Sequence, residues 1–358
     1  MYKFSRNPTI IFGEGAFLST IKEFRTSKPL FVCDSALSAQ IKKMIPDDSL
    51  MYSQISGEPD ENCVDRAMEF VRNRECDIII GIGGGSTMDL SKLMAVAKMS
   101  KKLSIRNINN AEIIERLPLI LVPTTCGTGS EVTDMAVVKI NGKKITIRNE
   151  KLIADTAILD SSFLKSLPKE VLAYSVIDAL AHAIEGMMTV FSNEITDMLA
   201  KKAVELIFMN LNKVGENRGK LLIASTLAGI VAREAKTTIG HWMAYTIAEE
   251  HNFPHGLSCA IPLPYVMMFN LKECEKKFEI LAGSLGVPGG AIGFIKEIKD
   301  LMASLGIPTT LNEIGVKRWE LSSLAKKLVD EHQQIRNIKD ITYENIEQLY
   351  INAWGGSL

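Results

Sequence analysis

Histidine and cysteine are scarce in this 358-residue chain, which has five of the first and six of the second. The cysteines (Cys33, Cys63, Cys76, Cys126, Cys259 and Cys274) are scattered, and none is paired as CxxC. That spacing excludes a thiolate zinc finger and offers no disulfide framework. They read as reduced and mostly buried, with Cys126 the one nearest a segment that suggests chemistry. Neither sign of charge dominates: 41 basic residues against 42 acidic ones leave a formal charge of −1. There is thus no electrostatic ground for nucleic acid or an anionic membrane as partner. No apolar run approaches the roughly 18 residues of a membrane span, and the opening "MYKFSRNPTIIFGEG" lacks the apolar centre of a signal peptide. The expected location is the cytoplasm. No internal repeat or low-complexity tract is visible.

What is present is the composition of an ordinary globular protein, 46% hydrophobic and 23% charged. The length exceeds what one hydrophobic core usually serves, so two domains are expected. In the first part, "TIIFG", "PLFVCD", "SLMYSQIS", "CDIIIGIGG" and "LPLILVPTT" read as strands separated by helical stretches. The unbroken apolar runs "DIIIGI" and "LPLILV" suit strands buried on both faces of a parallel sheet. Asn141-Gly142 supplies the positive φ angles of a two-residue hairpin turn in "VVKINGKKITI". After "TAILDSSFLKSLPKE" the pattern becomes helical, with helices expected over roughly 168–188, 194–211, 217–248, 289–304 and 319–332. Pro168 suits a first helical turn. The expected fold is therefore an α/β Rossmann-like domain over 1–162, largely parallel in its sheet, followed by an all-α domain over 163–358.

Three segments carry candidate chemistry. In "CDIIIGIGGGSTMDLSK" a strand leads through Gly83, Gly84, Gly85 and Ser86 into a helix. Glycines there let a ligand approach the backbone, and the helix start favours phosphate. The GxGxxG fingerprint is not matched, and a tight turn without a ligand is the alternative. "VPTTCGTGSEVT" gathers Thr124, Thr125, Thr128, Ser130 and Thr133 after another strand, offering hydroxyls and amides to a second part of the same ligand. Asp34 ends "PLFVCD", where a carboxylate can accept from a ribose 2′-hydroxyl and repel a 2′-phosphate, favouring NAD over NADP; a helix N-cap is an equal alternative.

The histidines complete the pattern. Asp178 and His182 in "VIDALAHAIEG" stand four apart, on one face of an apolar helix. They are either a weak helix pair or half of a metal site. His241, His251 and His255 fall together in "HWMAYTIAEEHNFPH", with His241 expected on a helix and His255 on the loop after it. One carboxylate and three imidazoles suit Fe(II) or Zn(II) and leave a position for a substrate oxygen. His332 in "DEHQQ" reads as a solvated surface residue.

Together, "GIGGGSTMDLSK", "PTTCGTGSEVT", "DALAHAIEG" and "HWMAYTIAEEHNFPHG" resemble the iron-containing (group III) alcohol dehydrogenases, in the family's order and spacing. The resemblance extends from "PTIIFGEGA" to the C-terminal helices. It implies a nucleotide-binding domain, a helical domain, and a metal in the cleft between them. It places the metal ligands on Asp178, His182, His241 and His255, with Fe2+, or Zn2+ in its stead, as the ion. The nicotinamide dinucleotide, NAD rather than NADP, is placed over Gly83, Gly84, Gly85 and Ser86 near Asp89. Thr124, Thr125, Thr128, Thr133 and Lys144 match further cofactor contacts, and Asp34 stands where NAD-preferring members carry aspartate.

One departure concerns the proton. Many members carry a histidine four residues after the third ligand, where this chain has Tyr245. An unperturbed phenol, with a pKa near about 10, is a poor base at neutral pH. His251 is the other candidate relay. The implied reaction is reversible hydride transfer between NAD(H) and a small alcohol or aldehyde. Alternatives are a 4-hydroxybutyrate-type hydroxy acid dehydrogenase, with Arg148, Arg218 or Arg233 as a carboxylate clamp, or a sister enzyme like glycerol dehydrogenase or dehydroquinate synthase. A homodimer or larger homo-oligomer is expected.

Overall fold

A computed structural model describes residues 4–22, 27–108, 112–211, 214–331 and 335–358. His332 lies outside the described residues. The chain divides into two compact units, Met1–Leu167 and Pro168–Leu358.

In the first unit the elements run β1 (Thr9–Phe12), α1 (Ala16–Ile21), β2 (Pro29–Cys33), α2 (Ser38–Lys42), β3 (Leu50–Tyr52), α3 (Glu61–Arg72), β4 (Ile78–Gly83) and α4 (Gly85–Met99). They continue with β5 (Leu119–Pro123), β6 (Met135–Ile140), β7 (Lys143–Arg148) and β8 (Thr156–Leu159). Six strands form one sheet in the order β1-β8-β5-β4-β2-β3, every neighbouring pair parallel. Successive strand residues face opposite sides, and here both sides are apolar. Ile79, Leu119 and Leu121 enter one buried cluster, whereas Ile78, Ile80, Ile82, Ile120 and Val122 enter the other. This is why β4 and β5 read as unbroken apolar runs. β6 and β7 form the expected hairpin, with Asn141 and Gly142 at φ 52° and 78°.

In the first unit one detail departs from the sequence expectation: the short strand β8, not foreseen, inserts between β1 and β5. The unit ends at Leu167. A short 3-10 turn over Ser161–Ser166 follows β8, and Phe163 in it packs edge-on against Phe17 within the first unit's core.

The second unit is helical: α5 (Lys169–Met187), α6 (Glu194–Asn210), α7 (Val214–Ala235), α8 (Ile239–His251), α9 (His255–Ala260), α10 (Leu263–Phe269), α11 (Leu271–Leu285), α12 (Gly290–Ser304), α13 (Leu321–Glu331) and α14 (Tyr343–Gly355). The single helix expected over 217–248 is two, broken after Ala235. Lys236 turns into the left-handed region at φ 71°, and the Thr238 hydroxyl caps α8 by accepting from Gly240 N. His255 opens helix α9 instead of sitting in a loop, since Pro254 starts the turn with φ −55°. Among the described residues no single helix is long and apolar enough to cross a membrane.

Candidate functional site

In the first unit the chemistry gathers at the carboxyl ends of β2 and β4. These strands are neighbours, with Cys33 in register with Ile82. From β2 the chain goes on to β3 on one side, and from β4 to β5 on the other. Such a reversal opens a crevice outside the strand ends, where open α/β sheets bind ligands. Asp34 directly follows β2, Gly83 ends β4, Gly84 caps α4, and Gly85 and Ser86 are the first residues of that helix. Thr124 follows β5, and its N–H donates to Gly83 O at 3.0 Å. The glycines do different jobs. A Cβ at Gly83 would lie 2.5 Å from the Thr87 side chain, and one at Gly85 would lie 2.9 Å from Thr128, so both are needed for packing. A Cβ at Gly84 would meet Thr125 only at an ordinary 3.5 Å, so the backbone there is the approachable one.

Other first-unit candidates are engaged inside the protein. Asp34 Oδ1 accepts from Ala36 N at 2.8 Å, so the N-cap role is present for one carboxylate oxygen. Asp89 accepts from Ser130 Oγ at 2.6 Å, from Val137 N at 2.9 Å and from Lys92 Nζ at 3.1 Å. The fully buried Lys92 donates as well to Ser130 Oγ, Thr133 Oγ1 and Met135 O. Burial lowers the Lys92 pKa, and Asp89 counters it in part. Asp89 and Thr133 thereby tie α4 to the threonine segment and the hairpin. Lys144 pairs with Glu58 at 2.5 Å. Burial would raise the Glu58 pKa, but Lys144 and Lys139 outweigh it and hold it low.

In the second unit, Asp178 and His182 lie on the buried length of α5, 3% and 8% exposed. The break before α8 puts His241 in that helix's first turn, and α9 packs against both α5 and α8. A Cβ at Gly256 would lie 2.3 Å from Tyr174 O, so glycine there lets α9 approach α5 this closely. As a result His241 Nε2 and His255 Nε2 each lie 3.8 Å from Asp178 Oδ1. Asp178 Oδ1 and His241 Nε2 are buried with no hydrogen-bond partner. Atoms of Asp178, His241, His255 and Cys259 all lie within 4.8 Å of one another. His182 is outside that set but stacks on His241, ring centroids 4.5 Å apart. Burial would raise the Asp178 pKa, but the imidazoles of His182, His255 and His241 outweigh it and hold it low. Orphaned buried donors of both charge types, spaced beyond hydrogen bonding, are what a shared cation requires.

Tyr245 joins this cluster and His251 does not. The Tyr245 ring stacks on His255 at 5.6 Å. His251, at the end of α8, lies 3.4 Å from Glu320 and stacks on Phe253. Of the arginines, Arg148 pairs with Asp134 and the buried Arg233 with Glu234, while Arg218 lies in α7.

Sequence reasoning passed over three residues that the structure brings into play: Glu185, Cys259 and Lys92. Glu185 Oε1 lies 2.7 Å from His241 Nδ1, and Oε2 accepts from Thr238 N and Oγ1, each at 2.7 Å. Burial would raise the Glu185 pKa, but His241 and Thr238 outweigh it and keep it ionised. A carboxylate held there accepts a hydrogen bond from Nδ1–H, so that the lone pair is on Nε2. Each residue stands at a helical interval from a residue already singled out: 185 seven after 178, 259 four after 255, 92 three after 89. That spacing was the available signal.

The two halves of the chain each match a family. A profile described as "Iron-containing alcohol dehydrogenase" covers residues 7–161, and one described as "Fe-containing alcohol dehydrogenase family, C-terminal" covers residues 172–354. The long-chain-alcohol dehydrogenase 1 of Geobacillus thermodenitrificans is 32% identical over 326 residues, spanning 86% of this chain and 82% of that protein. A crystal structure of a 1,3-propanediol oxidoreductase superposes with a TM-score of 0.91 at 26% identity, covering 99% of this chain and 100% of that one. The sulfoacetaldehyde reductase of Bifidobacterium kashiwanohense, in complex with NAD+, gives 0.89 at 26% identity, covering 99% and 98%.

Proposed function

The chain belongs to the iron-containing alcohol dehydrogenase family, and from that premise we propose that it interconverts a small alcohol and its carbonyl compound using NAD(H) and one divalent cation. The observation that carries this reading is the convergence of His241 Nε2 and His255 Nε2 on the orphaned Asp178 Oδ1, each at 3.8 Å. Asp178, His241 and His255 would hold the cation, with His182 beside them. When bound, the cation supplies the Lewis acidity that makes an alcohol oxygen acidic, and the dinucleotide supplies the two-electron acceptor.

The protein's own residues do the orienting. Glu185 fixes the tautomer of His241, and Tyr245 backs the ring of His255. His255 is the cluster's partly exposed member, 25% of its side chain open, so it marks the edge where substrate and water enter. With His251 drawn to Glu320, the alcohol proton leaves to solvent at that edge. On the first unit, Gly84 and the start of α4 would cradle the pyrophosphate. Asp34, beside the β2–β4 reversal, supports NAD over NADP. The reading includes a cytoplasmic homodimer or larger assembly, which sedimentation and cell fractionation check.

The deciding measurement uses the purified chain. Elemental analysis should give about one Fe or Zn per chain. An NADH-linked screen should show turnover with members of a panel of short aldehydes, diols, sulfoacetaldehyde and a four-carbon semialdehyde. Chelation should abolish turnover and readdition of cation should restore it. Undiminished turnover by fully stripped protein would overturn the reading.

A further inference from the structure

The proposed function leaves the substrate's carbon tail unassigned, and three rings of the second unit bear on it. The His255 side chain is 25% exposed, against 4% for Asp178 and 3% for His241. A molecule whose oxygen reaches this cluster must therefore pass the His255 ring. Tyr245 covers one face of that ring, its plane tilted by only 25°. Trp242 meets Tyr245 edge-on, at 5.5 Å and 86°. Both rings are half-buried. Tyr245 stands one turn after His241 on α8, and so on the same face, with Trp242 on the flank of that face.

Such a wall suits one kind of tail. Aromatic rings offer apolar area, and their faces carry negative charge that repels an anion. The cluster supplies no surplus of positive charge to offset this, since the carboxylates of Asp178 and Glu185 equal the charge of one divalent cation. The cations flanking α8 are directed elsewhere. Before the helix, Arg233 pairs with Glu234 at 2.8 Å, and Lys236 Nζ donates to Arg233 O at 2.7 Å. At its far end, Lys327 bridges Glu249 and Glu250 at 3.1 and 2.7 Å.

Resting on the reading of the cluster as the site of an alcohol oxygen, we propose that Tyr245 and Trp242 form the wall against which the substrate's tail packs, and that they select an uncharged alkyl tail over one ending in carboxylate or sulfonate. Tyr245 thereby has a second role beside backing His255, and Trp242 acts on the tail alone.

The test is an NADH-linked series of propanal, butanal and pentanal beside sulfoacetaldehyde and a four-carbon semialdehyde. In wild type, kcat/KM should rise about two- to fourfold per added methylene, mostly through KM. Pentanal should exceed both anionic substrates at least about tenfold. Trp242→Ala should flatten the rise along the series, and Trp242→Phe should restore most of it. A readout independent of turnover is indole emission, taken as the difference between wild type and Trp242→Phe. It should move to shorter wavelength with 1-pentanol and stay in place with ethanesulfonate. A flat wild-type series, a faster anionic substrate, or a rise undiminished in Trp242→Ala overturns the wall and leaves the cation site standing. Wild type that turns over none of these aldehydes overturns the proposed function, and an emission that 1-pentanol does not move then overturns the wall as well. Because the wild-type series can refute the wall by itself, the test survives a variant that fails to fold.

Discussion

His241 Nδ1 lies 2.7 Å from Glu185 Oε1, both side chains being buried. The same carboxylate accepts from the backbone N–H and hydroxyl of Thr238, at the break that starts α8. One buried carboxylate thus sets the entry of a helix and the tautomer of the imidazole that helix carries. A Cβ at Gly240 would come within 2.6 Å of Glu185, so glycine immediately before His241 leaves room for the carboxylate.

Glu185→Gln should therefore weaken cation binding. The amide can still accept from Thr238, but it no longer fixes the His241 proton by charge. Loss of such an outer partner typically lowers metal affinity by about 10–100-fold. Competition with a chromophoric chelator measures it, and circular dichroism should show the helical content unchanged. Wild-type affinity in Glu185→Gln would mean that the carboxylate does not act through the ligand.

Lys92 is predicted to hold the first unit together at the nucleotide end. Lys92→Met leaves the Asp89 carboxylate buried without its cation, which costs about 3–5 kcal/mol. The Asp89→Asn, Lys92→Met pair should lose less than the sum of the single changes, because the charge and its partner leave together. Urea unfolding of the four proteins checks this, and strict additivity would contradict it.

Asp34 is predicted to discriminate between the two nicotinamide dinucleotides. Asp34→Asn keeps the side-chain oxygen that caps Ala36 N but removes the negative charge. The ratio of kcat/KM for NAD over NADP should then fall at least about tenfold, equivalent to about 1.4 kcal/mol. An unchanged ratio would leave Asp34 with the capping role alone.

Acid stability should depend on Asp155. Its carboxylate takes a two-pronged contact from Arg116, at 2.7 and 2.8 Å, and a bond from Leu119 N at 2.9 Å. Burial would raise its pKa, but Arg116, Leu119 and Arg6 outweigh it and hold it low. Its folded pKa therefore lies below the unfolded value of about 3.9. The contribution is fully present above that value and is lost as pH falls through the lower, folded one. The stability gap between wild type and Asp155→Asn should be constant from about pH 7 to about pH 5 and shrink below about pH 4. The carboxylate is 40% exposed, so solvent screening keeps that gap modest.

Much of this protein is legible in local patterns. Apolar runs between glycine and proline announce β4 and β5, Asn-Gly announces the hairpin, and the i, i+4 pair Asp178–His182 announces a polar face on an apolar helix. Such signals survive in sequence because they depend on residues within a turn or strand of one another. The failures share the opposite property. Strand β8 is four residues long and is defined by the neighbours it slides between, β1 and β5. The helix break at Lys236 depends on Glu185, some fifty positions away, to satisfy Thr238.

By itself the amino-acid sequence determined the two-part organisation, the parallel sheet, and the residue types able to hold a dinucleotide and a cation. Only the tertiary structure decided how those residues share space: Asp34 beside the glycine turn, Tyr245 on His255, His251 turned to Glu320, and Cys259 against His255. The reason is physical. Periodicity fixes which face of a helix is buried, but the distance between side chains on α5, α8 and α9 is set by how closely those helices pack. That closeness is granted by Gly256 and by the buried carboxylate of Glu185.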